Sequence, residues 1–158
     1  MRVYLVRHGN ATPKAADPER HLSVRGRDQV RKVADFLKPL GLRVGGIWHS
    51  TKTRAGETAA ILSGTVDAAE GLVERDDLAP NADIHSVRRD IDRADEDLVV
   101  VGHLPFLDHL ASRLLVGNDA AETLKFTEGA VACLDGGASS GRRLLWMVTP
   151  DLLPEPVA

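Results

Sequence analysis

The chain contains a single cysteine, Cys133. This excludes an intrachain disulfide and any cysteine-rich zinc site. Cys133 falls in the apolar stretch from Ala130 to Leu134, where a buried, inert thiol is expected. Aromatic residues are scarce at 4%, which argues against a base-stacking platform for nucleic acid. Positive charge is not in excess either. With 20 Lys+Arg against 23 Asp+Glu, the formal net charge is −3, so no global basic field is available to hold nucleic acid. Apolar runs are short, such as Leu144 to Val148, against the ~20 residues needed to cross a bilayer. Arg7 stands where a signal peptide would carry its apolar stretch. The expectation is a cytoplasmic protein that engages neither membrane nor nucleic acid.

The remaining composition is that of an ordinary globular protein, 43% hydrophobic and 27% charged. Its 158 residues fit a single domain over 1–158, long enough to bury roughly two-thirds of its unfolded surface. Arg2 to Val6 is rich in β-branched and aromatic residues and predicts a strand. Ser23 can cap a helix whose apolar residues Val30, Val33, Ala34 and Leu37 recur at helical spacing. Pro39 should end that helix near Lys38, with Gly41 just beyond. Gly46 to His49 predicts a second strand, and Ser50 or Thr51 the start of the next helix. A short third strand is expected around Gly71 to Val73. Ile84, Val87 and Ile91 space a modest helix.

Leu98 to Val101 reads as a strand buried on both faces. Pro105 suits the first turn of a helix carrying Leu107, Leu110, Ala111, Leu114 and Leu115. Ala130–Leu134 and Arg143–Val148 predict an antiparallel hairpin across a Gly/Ser loop. The tail after Asp151 reads as loosely held. Strands alternating with helices predict an α/β fold, a three-layer α/β/α sandwich. Its central sheet is mostly parallel, with an antiparallel strand near the C-terminus.

Ligands in such sheets bind beyond the carboxyl ends of the strands. Arg7 and His8 follow the first strand, Arg54 lies in the first turn of the helix after the second, and His103 follows the fourth. Two guanidiniums and two imidazoles thus gather on one rim. Arginine offers a planar fork for two phosphate oxygens, and helix N-termini add N–H donors. An imidazole placed in line can attack phosphorus and carry the group covalently. Taken singly, Arg7 and Arg54 read as surface charges, His8 as a loop histidine and His103 as a helix cap. Their convergence favours the functional reading.

These residues carry a resemblance. Arg7-His8-Gly9 after a strand resembles the Arg-His-Gly signature of the histidine phosphatase superfamily. Leu22-Ser23-x-x-Gly26-x-x-Gln29 and Ser50-x-x-x-Arg54-Ala55-x-Glu57-Thr58-Ala59 are similar to its next two segments. Val101-Gly102-His103 is similar to its later Gly-His. Four segments in order are specific where one tripeptide is not. Asn10-Ala11, Arg20-x-Leu22-Ser23 and the total length resemble the SixA-type branch of phosphohistidine phosphatases, although His21 stands where a proline is usual. The long insertion that covers the site in phosphoglycerate mutase relatives is missing.

The resemblance implies His8 as nucleophile, with Arg7, Arg54 and His103 binding the phosphoryl group. No metal and no cofactor are implied. Larger relatives place an acid after the third strand; in Glu74-Arg75-Asp76-Asp77 the candidate is Asp77. The implied substrate is a phosphorylated protein, such as a histidine phosphotransfer domain, or a small phosphate ester. A phosphate-recognition module without turnover is the competing reading. A metal hydrolase lacks ligand spacing such as His-Glu-x-x-His.

Overall fold

The computed structural model describes residues 1–156. Its centre is a six-stranded sheet built from β1 (Arg2–Arg7), β3 (Gly46–Ser50), β5 (Leu72–Arg75), β6 (Leu98–Gly102), β7 (Val131–Gly137) and β8 (Gly141–Val148). The spatial order is β5-β3-β6-β1-β7-β8. The pairs β5–β3, β3–β6 and β6–β1 are parallel, while β1–β7 and β7–β8 are antiparallel. The mostly parallel α/β sheet with a C-terminal antiparallel portion is as the sequence predicts.

Strand periodicity of two sorts the side chains. Val3 and Leu5 of β1 join Leu98 and Val100 of β6 on one face, packed against α3 (His85–Arg93) and α4 (Phe106–Val116). Tyr4, Val6, Val99 and Val101 point to the other face, against α1 (Val24–Leu37) and α2 (Thr53–Leu62). Cys133 is buried within this second cluster. Among the described residues, no helix is long and apolar enough to cross a membrane.

Helix ends follow local chemistry. Ser23 caps α1, its hydroxyl accepting from Gly26 N at 3.0 Å. The chain then runs through one 3₁₀ turn at Lys38–Leu40 that carries Pro39, and Gly41 closes it at φ 59°. Lys52, not Ser50 or Thr51, caps α2, because Ser50 is still the last residue of β3. The hairpin is longer than expected. The Gly/Ser segment is itself the turn, so β7 and β8 pair up to Gly137 and Gly141. A two-residue ladder, β2 (Arg43–Val44) with β4 (Asp67–Ala68), has too little pattern to be seen in sequence. The tail is better held than expected. Residues Pro150–Leu152 form a 3₁₀ turn, Leu153 packs on the core, and Glu155 pairs with Lys32 of α1 at 3.3 Å. The last two residues of that tail lie outside the described residues.

The loop after β1 lies directly on the backbone of α1. A Cβ on Gly26 would stand 1.9 Å from the Asn10 carbonyl oxygen, and one on Gly9 would stand 2.7 Å from the Gly26 carbonyl oxygen. Both obstacles are backbone, so no rotamer relieves them. Gly26→Ala is therefore expected to cost at least the upper end of the ~1–3 kcal/mol typical of overpacking. Gly41→Ala faces open space and bears only the left-handed penalty of about 1 kcal/mol. Urea unfolding of the two variants checks this; a Gly26→Ala loss no larger than that of Gly41→Ala contradicts the contact.

Candidate active site

Two neighbouring parallel strands end side by side, with Arg7 opposite Gly102 in the β1–β6 register. The chain leaves β1 through His8, whose backbone N–H donates to Gly102 O at 3.1 Å. His8 and His103 are thereby held with ring centroids 4.8 Å apart, tilted by 55°. The His8 Nδ1 lies 2.7 Å from Gly9 O. A carbonyl only accepts, so Nδ1 carries the proton and the lone pair is on Nε2.

His103 faces Ser50, with Nε2 2.6 Å from the hydroxyl oxygen. That oxygen also accepts from Lys52 N at 3.2 Å. When the hydroxyl gives its one hydrogen to Nε2, Nδ1–H of His103 is left as a donor. His103 Nδ1 is buried without a hydrogen-bond partner among the described residues, and the same holds for Arg7 Nε and Arg54 Nε. Arg7 is fixed through Nη1, which donates to Phe126 O at 3.0 Å.

The surrounding loop is braced from three sides. Gly9 N donates to Thr58 Oγ1 at 3.1 Å. Asn10 N donates to Gln29 Oε1 at 2.9 Å, and Asn10 Nδ2 donates to Glu128 at 3.1 and 3.2 Å. Leu22 N donates to Glu57 Oε1 at 2.7 Å. Sequence reasoning missed the support given by Ser50, Thr58, Glu128 and the Phe126 carbonyl. Ser50 and Thr58 both stand in the segment similar to the family's, Ser50 also as a possible helix start, but nothing in the sequence assigns either a bond at the site. The segment around Phe126 has no periodicity to read.

Burial dominates the electrostatics. It pushes the His8 pKa down to about 4, assisted by Arg54 and Arg7 and opposed by the Gly9 carbonyl. It pushes His103 down to about 3, with His8 and Arg54 adding to the effect. Both rings are neutral at neutral pH. Arg54 is also pushed down, by burial and then by Arg20, yet a guanidinium stays charged. The arrangement offers one unprotonated ring nitrogen beside fixed donors without partners, which suits a phosphoryl group.

Asp77 does not fit the role expected of it. Arg75 grips its carboxylate with two hydrogen bonds, of 2.8 and 2.7 Å. The same guanidinium bonds Asp90 and lies over the Trp48 ring. The Arg75 hydrogen bonds hold Asp77 below the ordinary carboxyl value, the wrong direction for a group that must keep a proton near neutrality. The grip of Arg75 on its carboxylate speaks against Asp77 as the acid. The other histidines have local occupations. His21 faces Asp17 and Glu19, while His49 Nδ1 donates to Ser50 O at 2.9 Å.

The fold is that of the histidine phosphatases. The sequence profile of the histidine phosphatase superfamily (branch 1) matches residues 3–79. An uncharacterized protein of Picosynechococcus sp. is 31% identical over 146 residues, covering 88% of this chain and 87% of that protein. The chain belongs to the histidine phosphatase superfamily. Within it, the chain falls in the SixA-like branch. Phosphohistidine phosphatase SixA of Escherichia coli K12 is 25% identical over 155 residues, covering 95% of this chain and 94% of SixA. The structure of the protein histidine phosphatase SixA complexed with tungstate superposes with a TM-score of 0.83. It covers 96% of this chain and 99% of that one at 24% identity, a likeness of fold.

Two neutral buried histidines have a consequence for stability. The unfolded chain protonates each ring as pH falls through about 6.5, whereas the folded chain resists until about 4 for His8 and about 3 for His103. Unfolding therefore takes up protons in this window. Stability falls with falling pH, by up to about 1.4 kcal/mol per unit for each histidine. The raised pKa of His21, paired with Asp17, works in the opposite direction. Urea unfolding from about pH 7 to about pH 5 should show a fall that flattens in a His8→Asn/His103→Asn double variant. Parallel profiles for the two proteins would contradict the buried-neutral assignment.

Proposed function

We propose that the chain is a single-domain, cytoplasmic, metal-independent phosphatase spanning residues 1–158. It works through a phosphohistidine on His8 and acts on phosphohistidine carried by a protein. The observation that carries this reading is the set of buried, unpartnered donors Arg7 Nε, Arg54 Nε and His103 Nδ1 around an imidazole whose Nε2 holds its lone pair. Phosphatase chemistry itself belongs to the family.

In the proposed first step His8 Nε2 attacks phosphorus, and the bond to the leaving atom breaks with its electron pair. The leaving atom takes up a proton. In the second step water attacks phosphorus and loses a proton, the P–N bond breaks, and the pair returns to Nε2 as phosphate leaves. Arg7, Arg54 and His103 bind the three equatorial oxygens, where charge is spread in the transition state. Keeping His8 neutral at neutral pH matters because a protonated ring has no pair to give.

A protein-borne phosphohistidine fits the absence of the long covering insertion known from phosphoglycerate mutase relatives. Between β5 and β6 the chain has only residues 76–97, and they supply a 3₁₀ turn and α3. The imidazole leaving group also needs less help than an alkoxide. The partner class is a phosphotransfer domain; turnover of a small phosphate ester is the second reading.

His8→Ala should abolish turnover in a folded protein, and the wild type should trap labelled phosphoryl in an acid-labile, base-stable linkage. Undiminished activity in His8→Ala would remove the covalent mechanism. Arg7→Ala and Arg54→Ala should each lower kcat on the order of 10²-fold, as expected for losing one fixed donor at developing charge. Lysine at either position should rescue poorly, because the fork is lost. A substrate panel decides the partner class. Preference for small esters, with none for phosphohistidine proteins, would sink the protein-substrate assignment and leave His8 intact.

A further inference from the structure

With Asp77 held by Arg75, the proton needed by the leaving group has no assigned source. One carboxyl, on the helix that follows β6, meets the requirements. Asp108 is the third residue of α4. A carboxylate at that position commonly reaches back to the backbone N–H of the capping residue. Here the cap is Pro105, which has no N–H. Asp108 Oδ1 is buried and has no hydrogen-bond partner among the described residues. Such an oxygen is costly to keep, and capping does not account for it. The helix dipole favours a charged carboxylate there, but it supplies no partner for Oδ1.

The surroundings point to a ligand. Asp108 lines a cleft of about 710 Å³ together with Arg7, Leu104, Leu124, Phe126 and Glu128. Arg7 belongs at once to this cleft and to the set of donors beside His8. A phosphoryl group seated at Arg7 would border this cleft, in which Leu104, Leu124 and Phe126 lie with the Asp108 carboxyl. We propose that Asp108 is the catalytic proton donor to the leaving group, an inference that rests on the phosphatase reading given above.

The step balances. As His8 Nε2 bonds to phosphorus, the bond from phosphorus to the leaving atom breaks and its pair takes the Asp108 proton. The carboxylate left behind then takes a proton from the water that attacks the phosphohistidine, and so regains its starting form. Arg7 on β1, His109 on α4 and Glu122 on the loop leading into β7 act on Asp108, while Lys125 and Glu128 of that loop line the same cleft. Burial raises the carboxyl pKa above its ordinary value, His109 and Arg7 lower it, and Glu122 raises it. A phosphoryl dianion bound to Arg7 offsets that guanidinium, so substrate binding itself moves Asp108 toward the protonated form.

The test is the dependence on leaving group. Nitrophenolate departs without a proton, while an alkoxide does not. Asp108→Asn should lower kcat for phosphoserine on the order of 10²-fold and change kcat for p-nitrophenyl phosphate by less than about threefold. In the wild type, phosphoserine turnover should fall as pH rises through the carboxyl pKa, a limb absent with p-nitrophenyl phosphate. That pH limb tests the idea even if the variant fails to fold. Asp108→Glu should recover part of the phosphoserine rate. Equal losses on both substrates, no loss on either, or a wild type without measurable phosphoserine turnover would each overturn the assignment. His8→Ala run in parallel separates the two readings. If it is inactive while Asp108→Asn shows no split, only Asp108 falls; if it is active, the phosphatase mechanism falls first.

Discussion

The candidate site hangs on the pairing of β1 with β6. Both strands are buried on both faces, so their register is set by shape-specific packing on two sides at once. A slip of one residue would exchange Val3 and Leu5 with Tyr4 and Val6 and destroy both packed faces. It would also part His8 from His103. The most polar chemistry of the molecule is therefore positioned by its most apolar element, and the rigidity of that element passes to the rings at its end.

The same packing sets protonation. Burial places the two imidazoles and also strips them of protons, while the arginines that would grip an oxyanion push further in that direction. Position and charge state share one cause. Asp77 and Asp108 show the opposite lesson. They are the same residue type, on segments that each follow a parallel strand. A guanidinium fork holds one ionised, while burial without a partner pushes the other toward neutrality. Neighbours, more than residue type or distance along the chain from a motif, decide which carboxyl can carry a proton.

This is also where the sequence stopped being legible. Elements with a clear local signal could be read: β1 and β6 lie close to where β-branched and continuous apolar runs put them, and α1 and α4 close to where helical spacing does. Arg7, His8, Arg54 and His103 could be placed on one rim because each follows a strand, and the fold sends those strand ends to a common edge. Contacts between segments distant in sequence could not be read. Ser50 next to a helix start looks like a cap until β3 is known to lie beside β6, which turns its hydroxyl toward His103. Arg75 stood two residues before Asp77 in plain view. Only the 3₁₀ turn that folds Asp77 back shows that the two are partners. The loop before β7 carries no pattern at all, yet its Phe126 carbonyl fixes Arg7 and its Glu128 braces Asn10.

The unpartnered donors bear on how this protein can change over generations. Among the described residues Arg7 Nε, Arg54 Nε and His103 Nδ1 are buried without a hydrogen-bond partner, and each such group costs the fold about 1–3 kcal/mol. A library bred for heat resistance alone would find its easiest gains at these three side chains, by trading them for apolar ones of similar size. Its winners would be sturdier proteins with a blunted rim. Thermal ruggedness and chemistry compete here for the same few atoms, and a lineage that relaxed its demand on turnover would lose this corner of the molecule first.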